Sequence, residues 1–179
     1  MNQAKATWIC ALLLMWSFTG SATQNQTVGE EEQALLNQKE KLNDYFGNLI
    51  SWTTAAGLSA CQWFHIGCSN GSVTNITLGG RQLSGSLACD LGRLRSLQRL
   101  EMQDNSITEE IPWALGMATR LQHVNLSNNW LTGGIPHSLS KLPHLRSIDL
   151  SNNNLTGIAP KFRKGVYVNV AGNPLLRSC

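Results

Sequence analysis

The chain has 179 residues, of which 42% are hydrophobic and 14% are charged, and its formal net charge is +3 at pH 7. That charge is too small for the basic stripe that nucleic-acid binding requires. The longest apolar run, from Ala6 to Phe18, is shorter than the roughly 20 residues that cross a bilayer, so no membrane-spanning helix is predicted.

The first 22 residues have the order of a secretory signal peptide. Lys5 precedes the apolar run, and Gly20, Ser21 and Ala22 supply small residues for cleavage. We therefore predict that residues 1–22 are removed and that the remaining chain lies outside the cytosol. Asn-X-Ser/Thr sequons fit that compartment, and they predict glycosylation at Asn25, Asn70, Asn75, Asn125 and Asn154.

Residues 23–72 are predicted to form an N-terminal cap. The segment Val28–Phe46 has apolar residues at broadly helical spacing and glutamates near its start, which predicts a helix. Cys61 and Cys68 follow beside aromatic residues, and in a secreted protein such a pair predicts a disulfide. A cap is physically required, because the end of a stack of repeats would otherwise expose an apolar cross-section to water.

Residues 73–164 contain four copies of a 24-residue repeat, which begin at Val73, Leu97, Leu121 and Leu145. Positions 1, 4, 6 and 11 are apolar in every copy, and position 9 of the last three copies holds Asn105, Asn129 and Asn153. This is the L-x-x-L-x-L-x-x-N-x-L signature of a leucine-rich repeat. It predicts an α/β solenoid in which each repeat adds one strand to a parallel β-sheet. Residues 165–179 continue the pattern as a partial fifth repeat.

Cys89 and Cys179 are not expected to bridge each other. Four strand spacings of about 4.8 Å separate them, or roughly 19 Å. The Cα atoms of a disulfide lie only about 4.4–6.8 Å apart. A buried thiol would account for Cys89, and the sequence leaves the redox states of both cysteines open.

Positions 3, 5 and 7 of each repeat should face solvent on one side of the sheet, because side chains alternate along a strand. Over the four full repeats this surface is polar, of mixed charge and free of aromatic residues. Interface hot spots are enriched in Trp, Tyr and Arg. We therefore predict partner binding through Arg99, Glu101, His123 and Asp149 of this surface, flanked by Trp113 and Trp130 from two mostly polar positions of the repeat. Simple solvation of the polar residues and partial burial of the tryptophans are the alternatives.

A catalytic role is not predicted. His123 and Ser127 lie four residues apart on an extended strand, about 13 Å, whereas a general base must come within about 3 Å of its nucleophile. His137 and His144 have no Cys or carboxylate at ligand spacing, so neither a metal site nor a cofactor is expected.

The cap and repeats together resemble the ectodomains of plant leucine-rich-repeat receptor-like kinases. The residues that carry the resemblance are ALLNQKEKLND, SW and CQWFHIGC in the cap and the plant-type L-T/S-G-x-I-P motif in the repeats. VTNITLGGRQLSGSL and LSNNNLTGIAPKFRKGVYVNVAGNPLL are most similar to the transmembrane-kinase (TMK) subfamily, and CQWFHIGC is also similar to somatic embryogenesis receptor kinases. The membrane helix and kinase domain of such receptors are not found in this sequence.

The resemblance implies a short plant-type superhelix with a helical, disulfide-bonded cap. It also implies a binding role, in the apoplast or at the cell surface, toward an extracellular protein or peptide such as a receptor-kinase ectodomain. Two alternatives remain. One is an inhibitor of a secreted pathogen enzyme, of the polygalacturonase-inhibiting type, and the other is a truncated receptor fragment.

Overall fold

The computed structural model describes residues 24–54 and 57–177, without the side chains of residues 24–28. The predicted signal peptide, the Asn25 side chain and Cys179 lie outside the described residues. The helices are α1 (Gln24–Glu40) and α2 (His137–Ser140), and 3₁₀ turns occur at Ala60–Gln62, Cys89–Arg93 and Trp113–Met117. The strands are β1 (Leu42–Asn43), β2 (Ile66–Ser69), β3 (Ser72–Thr77), β4 (Ser84–Gly85), β5 (Arg99–Glu101), β6 (Ser106–Ile107), β7 (His123–Asn125), β8 (Ser147–Asp149), β9 (Thr156–Ile158), β10 (Tyr167–Asn169) and β11 (Leu175–Arg177). No helix in these ranges has the length and apolar character needed to cross a membrane.

The largest sheet has six strands in the order β10-β8-β7-β5-β3-β2. Strands of successive repeats pair in parallel, while β2 of the cap pairs antiparallel with β3. Equivalent residues of neighbouring repeats lie side by side, so that Leu100 pairs with Val124 and Val124 with Ile148. From β3 to β8 the register of the sheet is therefore the 24-residue register of the sequence, and β10 follows β8 after 20 residues.

The apolar positions of the repeat form one continuous interior. Leu100, Val124 and Ile148 are at most 2% exposed. Positions 1, 6 and 11 of the full repeats are buried in the same way, at Val73, Leu97, Leu121, Leu145, Leu78, Met102, Leu126, Leu150, Leu83, Ile107, Leu131 and Leu155. Burial of each such side chain contributes about 1.5–3 kcal/mol, so these columns are the main source of stability.

Position 9 forms a ladder of buried asparagines, at Asn105, Asn129, Asn153 and Asn173. The Asn129 side-chain oxygen accepts a hydrogen bond from the Ile107 N–H at 2.9 Å, and its amide group donates to the Met102 carbonyl at 3.0 Å. Equivalent bonds recur at the other three asparagines. Asparagine suits this position because its side chain supplies both a donor and an acceptor to backbone groups that have no partner within the sheet.

The outer side of the repeats is a stack of tight turns. Strands β1, β4 and β6 form a second, smaller sheet. The turn at Cys89–Arg93 packs so closely on the turn at Trp113–Met117 that a Cβ atom at Gly92 would overlap the carbonyl oxygen of Ala114. Glycine at this position therefore sets how closely the first two repeats approach.

Buried polar contacts join the cap to the first repeat. The Glu31 carboxylate accepts a hydrogen bond from the Val73 N–H at 2.9 Å. Gln38 is fully buried, and it accepts from the Ala88 N–H at 2.7 Å and donates to the Ser86 carbonyl at 3.0 Å. Because these groups are satisfied only in the docked arrangement, they fix the position of α1 against the repeats.

The disulfide of the cap is as predicted from the sequence, but the helix of the cap ends earlier than predicted. Cys61 and Cys68 are bonded, with Cα atoms 5.6 Å apart, as predicted. The prediction of a helix as far as Phe46 was wrong, because α1 ends at Glu40 and Leu42 then pairs with Gly85 of β4.

Cys89 is disulfide-bonded, so the interpretation of this residue as a buried thiol was wrong. Since Cys61 and Cys68 bond each other, the partner of Cys89 lies outside the described residues. Because Cys179 lies outside the described residues, the expectation that Cys89 and Cys179 do not bond each other stays a prediction.

Candidate functional site

The solvent-facing side of the large sheet presents two columns of mostly polar side chains. One column contains Asn75, Arg99, His123, Ser147 and Tyr167, and the other contains Thr77, Glu101, Asn125, Asp149 and Asn169. Because parallel strands lie about 4.8 Å apart, the columns form a continuous surface.

An open groove of about 260 Å³, here called the sheet groove, lies across this surface. Its lining residues are Arg99, Glu101, His123, Val124, Asn125, Ser147, Asp149 and Tyr167. Four of the six residues predicted to bind a partner, Arg99, Glu101, His123 and Asp149, therefore come together in one place. They come from three successive repeats, and the sheet register alone brings them together.

Arg99 and Glu101 form an ion pair in the sheet groove. An Arg99 guanidinium nitrogen donates to a Glu101 carboxylate oxygen at 2.8 Å, and the two side chains are 42% and 30% exposed. A pair this accessible to water contributes at most about 1 kcal/mol to stability. Its main effect is to hold the guanidinium in place, and several of the five N–H donors of that group remain for a ligand.

His123 lies beside this pair and hydrogen-bonds through Nδ1 to the Ser147 hydroxyl at 2.8 Å. Burial lowers the pKa of His123, and the positive charges of Arg99 and Arg146 lower it further, against the opposing effect of the Glu101 carboxylate. The imidazole is therefore neutral near pH 7, where it offers one donor and one acceptor.

Asp149 places a negative charge two strands away from Arg99. One carboxylate oxygen accepts hydrogen bonds from the Ser151 N–H at 2.9 Å and the Ser151 hydroxyl at 2.6 Å, and the other accepts from the Asn169 amide at 3.0 Å. Burial raises the pKa of Asp149, but these hydrogen bonds outweigh burial, and the net pKa is lowered. The sheet groove thus contains fixed charges of both signs.

Tyr167 is a groove residue that the sequence analysis missed. It pairs with Ser147 in the sheet and its side chain is 63% exposed. The description of this face as free of aromatic residues was therefore incomplete. The signal was available, since Val168 fills position 4 of the partial fifth repeat and Tyr167 must then fill position 3.

The cap also exposes apolar side chains that no sequence pattern indicated. The most exposed are Tyr45, Phe46, Ile50 and Phe64. The backbone carbonyl of His65, next to Phe64, accepts hydrogen bonds from the N–H and hydroxyl of Thr77. Phe64 therefore lies beside the edge of the polar face at β3. The four exposed side chains together are here called the cap patch.

The structure separates both predicted tryptophans from the sheet groove. Trp113 is half-buried in its 3₁₀ turn, its ring nitrogen is buried, and its carbonyl accepts a hydrogen bond from the Ser138 hydroxyl at 2.6 Å. The interpretation of Trp113 as an exposed aromatic residue was wrong, and partial burial, the stated alternative, is what the structure shows. Trp130 is 66% exposed, as predicted.

Trp130 borders a second depression of about 580 Å³, here called the side groove. Its other lining residues are Asn128, Asn129, Asn152, Asn153, Asn154, Gly172 and Pro174. None of these residues carries a formal charge, in contrast to the sheet groove.

The described sequons occupy different surfaces. Asn70 lies in the exposed turn between β2 and β3, and Asn75 lies on the polar face. Asn125 lines the sheet groove, where a sugar would obstruct a ligand. Asn154 is exposed and lines the side groove. Glycosylation at any of these positions stays a prediction.

The contacts of His123 do not assemble a catalytic triad. The Ser127 hydroxyl donates to the Asn125 side chain at 2.8 Å rather than to an imidazole. Asp149 is engaged by Ser151 and Asn169. Within residues 24–54 and 57–177, no three His, Cys, Asp or Glu side chains are grouped so that they could hold a metal ion.

Three family models match parts of the chain. The leucine-rich-repeat N-terminal domain matches residues 28–69, the leucine-rich repeat matches residues 96–117, and the leucine-rich repeats model of two copies matches residues 119–161. These ranges cover most of the cap and every residue that lines the sheet groove except Tyr167.

Two curated relatives from Arabidopsis thaliana are similar in sequence. A leucine-rich-repeat receptor-like serine/threonine-protein kinase is 33% identical over 58% of this chain, and leucine-rich repeat protein 1 is 40% identical over 40% of it. The chain spans 9% of the length of the first and 33% of the second.

Solved ectodomain structures share the fold. The PEPR1–AtPEP1 structure superposes with a TM-score of 0.71 at 30% identity, covering 74% of this chain and 19% of that one. The Arabidopsis thaliana GASSHO1/SCHENGEN3 ectodomain, in complex with CASPARIAN STRIP INTEGRITY FACTOR 2, gives 0.68 at 29% identity, covering 73% and 16%. The Arabidopsis thaliana BIR3–SERK2 complex gives 0.53 at 26% identity, covering 80% and 96%. The chain therefore contains leucine-rich repeats and is similar to the ectodomains of plant receptor kinases.

Proposed function

We propose that this chain is an extracellular recognition module that binds a peptide, or the ectodomain of another receptor, across the sheet groove. The observation that carries the proposal is the register of β5, β7, β8 and β10, which aligns Arg99, His123, Ser147 and Tyr167 in one row. Arginine and tyrosine, two of the residue types enriched in interface hot spots, stand at the two ends of that row.

The dimensions of the sheet groove favour an extended peptide segment. Three strand spacings separate Arg99 from Tyr167, about 14 Å, which an extended chain spans with about four residues. The groove offers a cation at Arg99, anions at Glu101 and Asp149, and an exposed aromatic ring at Tyr167. The segment that fits best carries charges of both signs and an apolar or aromatic side chain against Tyr167.

The similar structures support this class of partner. One holds a receptor ectodomain in complex with CASPARIAN STRIP INTEGRITY FACTOR 2, and another is a complex of BIR3 with SERK2. We also propose, from these similarities, that this chain is located in the apoplast or at the cell surface. Membership of the TMK subfamily stays a prediction from the sequence motifs alone.

Binding measurements with the secreted protein test the proposal. The protein is immobilised, and its affinity for a panel of synthetic secreted-peptide sequences and purified receptor-kinase ectodomains is measured by biolayer interferometry. For the tightest partner we expect Arg99→Ala and Tyr167→Ala each to weaken binding tenfold or more, about 1.4 kcal/mol.

Arg95→Ala is the matched control, because Arg95 is an exposed arginine outside the sheet groove. It should leave the affinity unchanged. Tyr45→Ala separates the sheet groove from the cap, since Tyr45 is 86% exposed on the cap patch. If Tyr45→Ala abolishes binding while Arg99→Ala and Tyr167→Ala do not, the partner binds the cap and the proposal is wrong.

A further inference from the structure

Trp130 is a large aromatic side chain that is exposed to solvent and does not line the sheet groove. It is 66% exposed, and it lies in the uncharged side groove away from the candidate binding residues. Indole has a broad apolar face, and leaving that face in water is unfavourable. The neutral, amide-rich lining of the side groove suits an uncharged ligand that has both apolar and hydrogen-bonding surfaces.

Asn154 stands beside Trp130 and begins the sequon Asn154-Leu155-Thr156. Its side chain is exposed and makes no hydrogen bond to the described residues, whereas the neighbouring Asn153 is buried and fully engaged. The Asn154 amide nitrogen is therefore available for attachment of a sugar.

The backbone places Trp130 and Asn154 at equivalent points of adjacent repeats. Trp130 and Asn154 occupy position 10 of successive repeats. The Trp130 N–H donates to the Ile107 carbonyl and the Asn154 N–H to the Leu131 carbonyl, both at 2.8 Å, so the two residues are held in the same way. Because the strands of adjacent repeats lie about 4.8 Å apart, the first sugar attached to Asn154 would lie next to the indole ring of Trp130.

The chemistry of the first sugar of an N-glycan matches this neighbour. One face of N-acetylglucosamine carries several C–H bonds with slight positive charge, and the face of an indole ring is negative. The acetamido group can hydrogen-bond to side-chain amides such as that of Asn152, which also lines the side groove.

We propose that Asn154 is N-glycosylated and that its first N-acetylglucosamine packs on Trp130. Trp130 is then a platform for the glycan of its own chain, and the predicted role of Trp130 in partner binding is replaced. The inference depends on passage through the secretory pathway but not on the identity of any partner. The glycan would cover the side groove and leave the sheet groove open.

The experiment compares three forms of the protein secreted from cells that make oligomannose glycans. One form is intact, one is trimmed by endoglycosidase H to a single N-acetylglucosamine, and one is stripped of sugar by peptide-N-glycosidase F. Hydroxyl-radical oxidation of Trp130 is read by mass spectrometry in the tryptic peptide 121–141. We expect several-fold slower oxidation in the intact and trimmed forms than in the stripped form, because the first sugar alone shields the ring.

Variants test whether the Asn154 glycan itself causes the slower oxidation of Trp130. Thr156→Ala removes the sequon while keeping Asn154 and should match the stripped form, whereas Thr156→Ser keeps the sequon and should match the intact form. Ser72→Ala removes the Asn70 sequon and should not change Trp130. Trp52 and Trp63, at most 2% exposed, should stay unreactive throughout and so report that each variant is folded.

Two results overturn the proposal. One is an unglycosylated peptide 147–161 in the secreted protein. The other is an equal rate of Trp130 oxidation in the trimmed and stripped forms, which would mean that the sugar does not touch the ring. Either outcome leaves the sheet-groove binding experiment unaffected.

Discussion

Replacing Asn129 with alanine tests the asparagine ladder that holds successive repeats together. The Asn129 side chain is 6% exposed and bonds to four backbone groups, the Ile107 N–H and the carbonyls of Met102, Leu126 and Ser127. All of these bonds are lost in Asn129→Ala, at a residue that is almost entirely enclosed by protein.

The cost depends on which partners have a second hydrogen bond. The Met102 carbonyl still accepts from Asn105, the Leu126 carbonyl from Asn153, and the Ser127 carbonyl from the Asp104 N–H. Among the described residues, the Ile107 N–H has Asn129 as its only acceptor, and Ile107 is 1% exposed. One orphaned buried donor costs about 1–3 kcal/mol, and each of the three bonds to carbonyls that keep another donor adds about 0.5 kcal/mol, so we expect a total of about 2.5–4.5 kcal/mol.

Urea unfolding of unglycosylated protein, followed by circular dichroism, measures the free energy of unfolding. Asn154→Ala is the control, because that exposed side chain makes no hydrogen bond to any residue that the structure describes, and its effect should stay within about 0.5 kcal/mol. If Asn129→Ala costs less than about 1 kcal/mol, or no more than Asn154→Ala, the buried donor is not unsatisfied and the argument from the ladder fails.

Two further predictions concern packing and acid stability. Gly92→Ala should lower the free energy of unfolding by about 1–3 kcal/mol, because its Cβ would overlap the Ala114 carbonyl oxygen. Gly134→Ala, whose nearest neighbour is the Thr156 carbonyl oxygen at 3.8 Å, should be tolerated; equal effects of the two in thermal unfolding would contradict the packing. The lowered pKa of Asp149 means that its contribution to stability is present above the ordinary aspartate pKa and is lost as pH falls through the folded-state pKa. Asp149→Asn should reduce the acid-side loss of stability, and an NMR titration midpoint for Asp149 at or above the ordinary aspartate value would refute this.

The central repeats could be predicted because each repeat provides the environment of the next. Leu100, Val124 and Ile148 are buried by one another, and Asn129 bonds to groups that every neighbouring repeat presents at the same place. The repeating sequence therefore specifies both a side chain and the neighbouring residues that surround it. The grouping of Arg99, Glu101, His123 and Asp149 followed from that period, although their role in binding stays a proposal.

Positions whose surroundings differ from one repeat to the next were harder to predict. Trp113 fills a column of mixed residue types, and only the packing of the neighbouring turn decides that it is half-buried. The end of α1 depends on the pairing of Leu42 with Gly85, a contact between segments 43 residues apart. No local pattern encodes such a contact.

The sequence by itself determined the repeat, its register, its buried columns and the Cys61–Cys68 bond, because these depend on spacing along the chain. The tertiary structure decided that Trp113 and Trp130 lie apart from the sheet groove and that Cys89 is bonded. The reason is that burial and contact at these residues are set by neighbours outside the repeating unit, and only the folded chain specifies those neighbours.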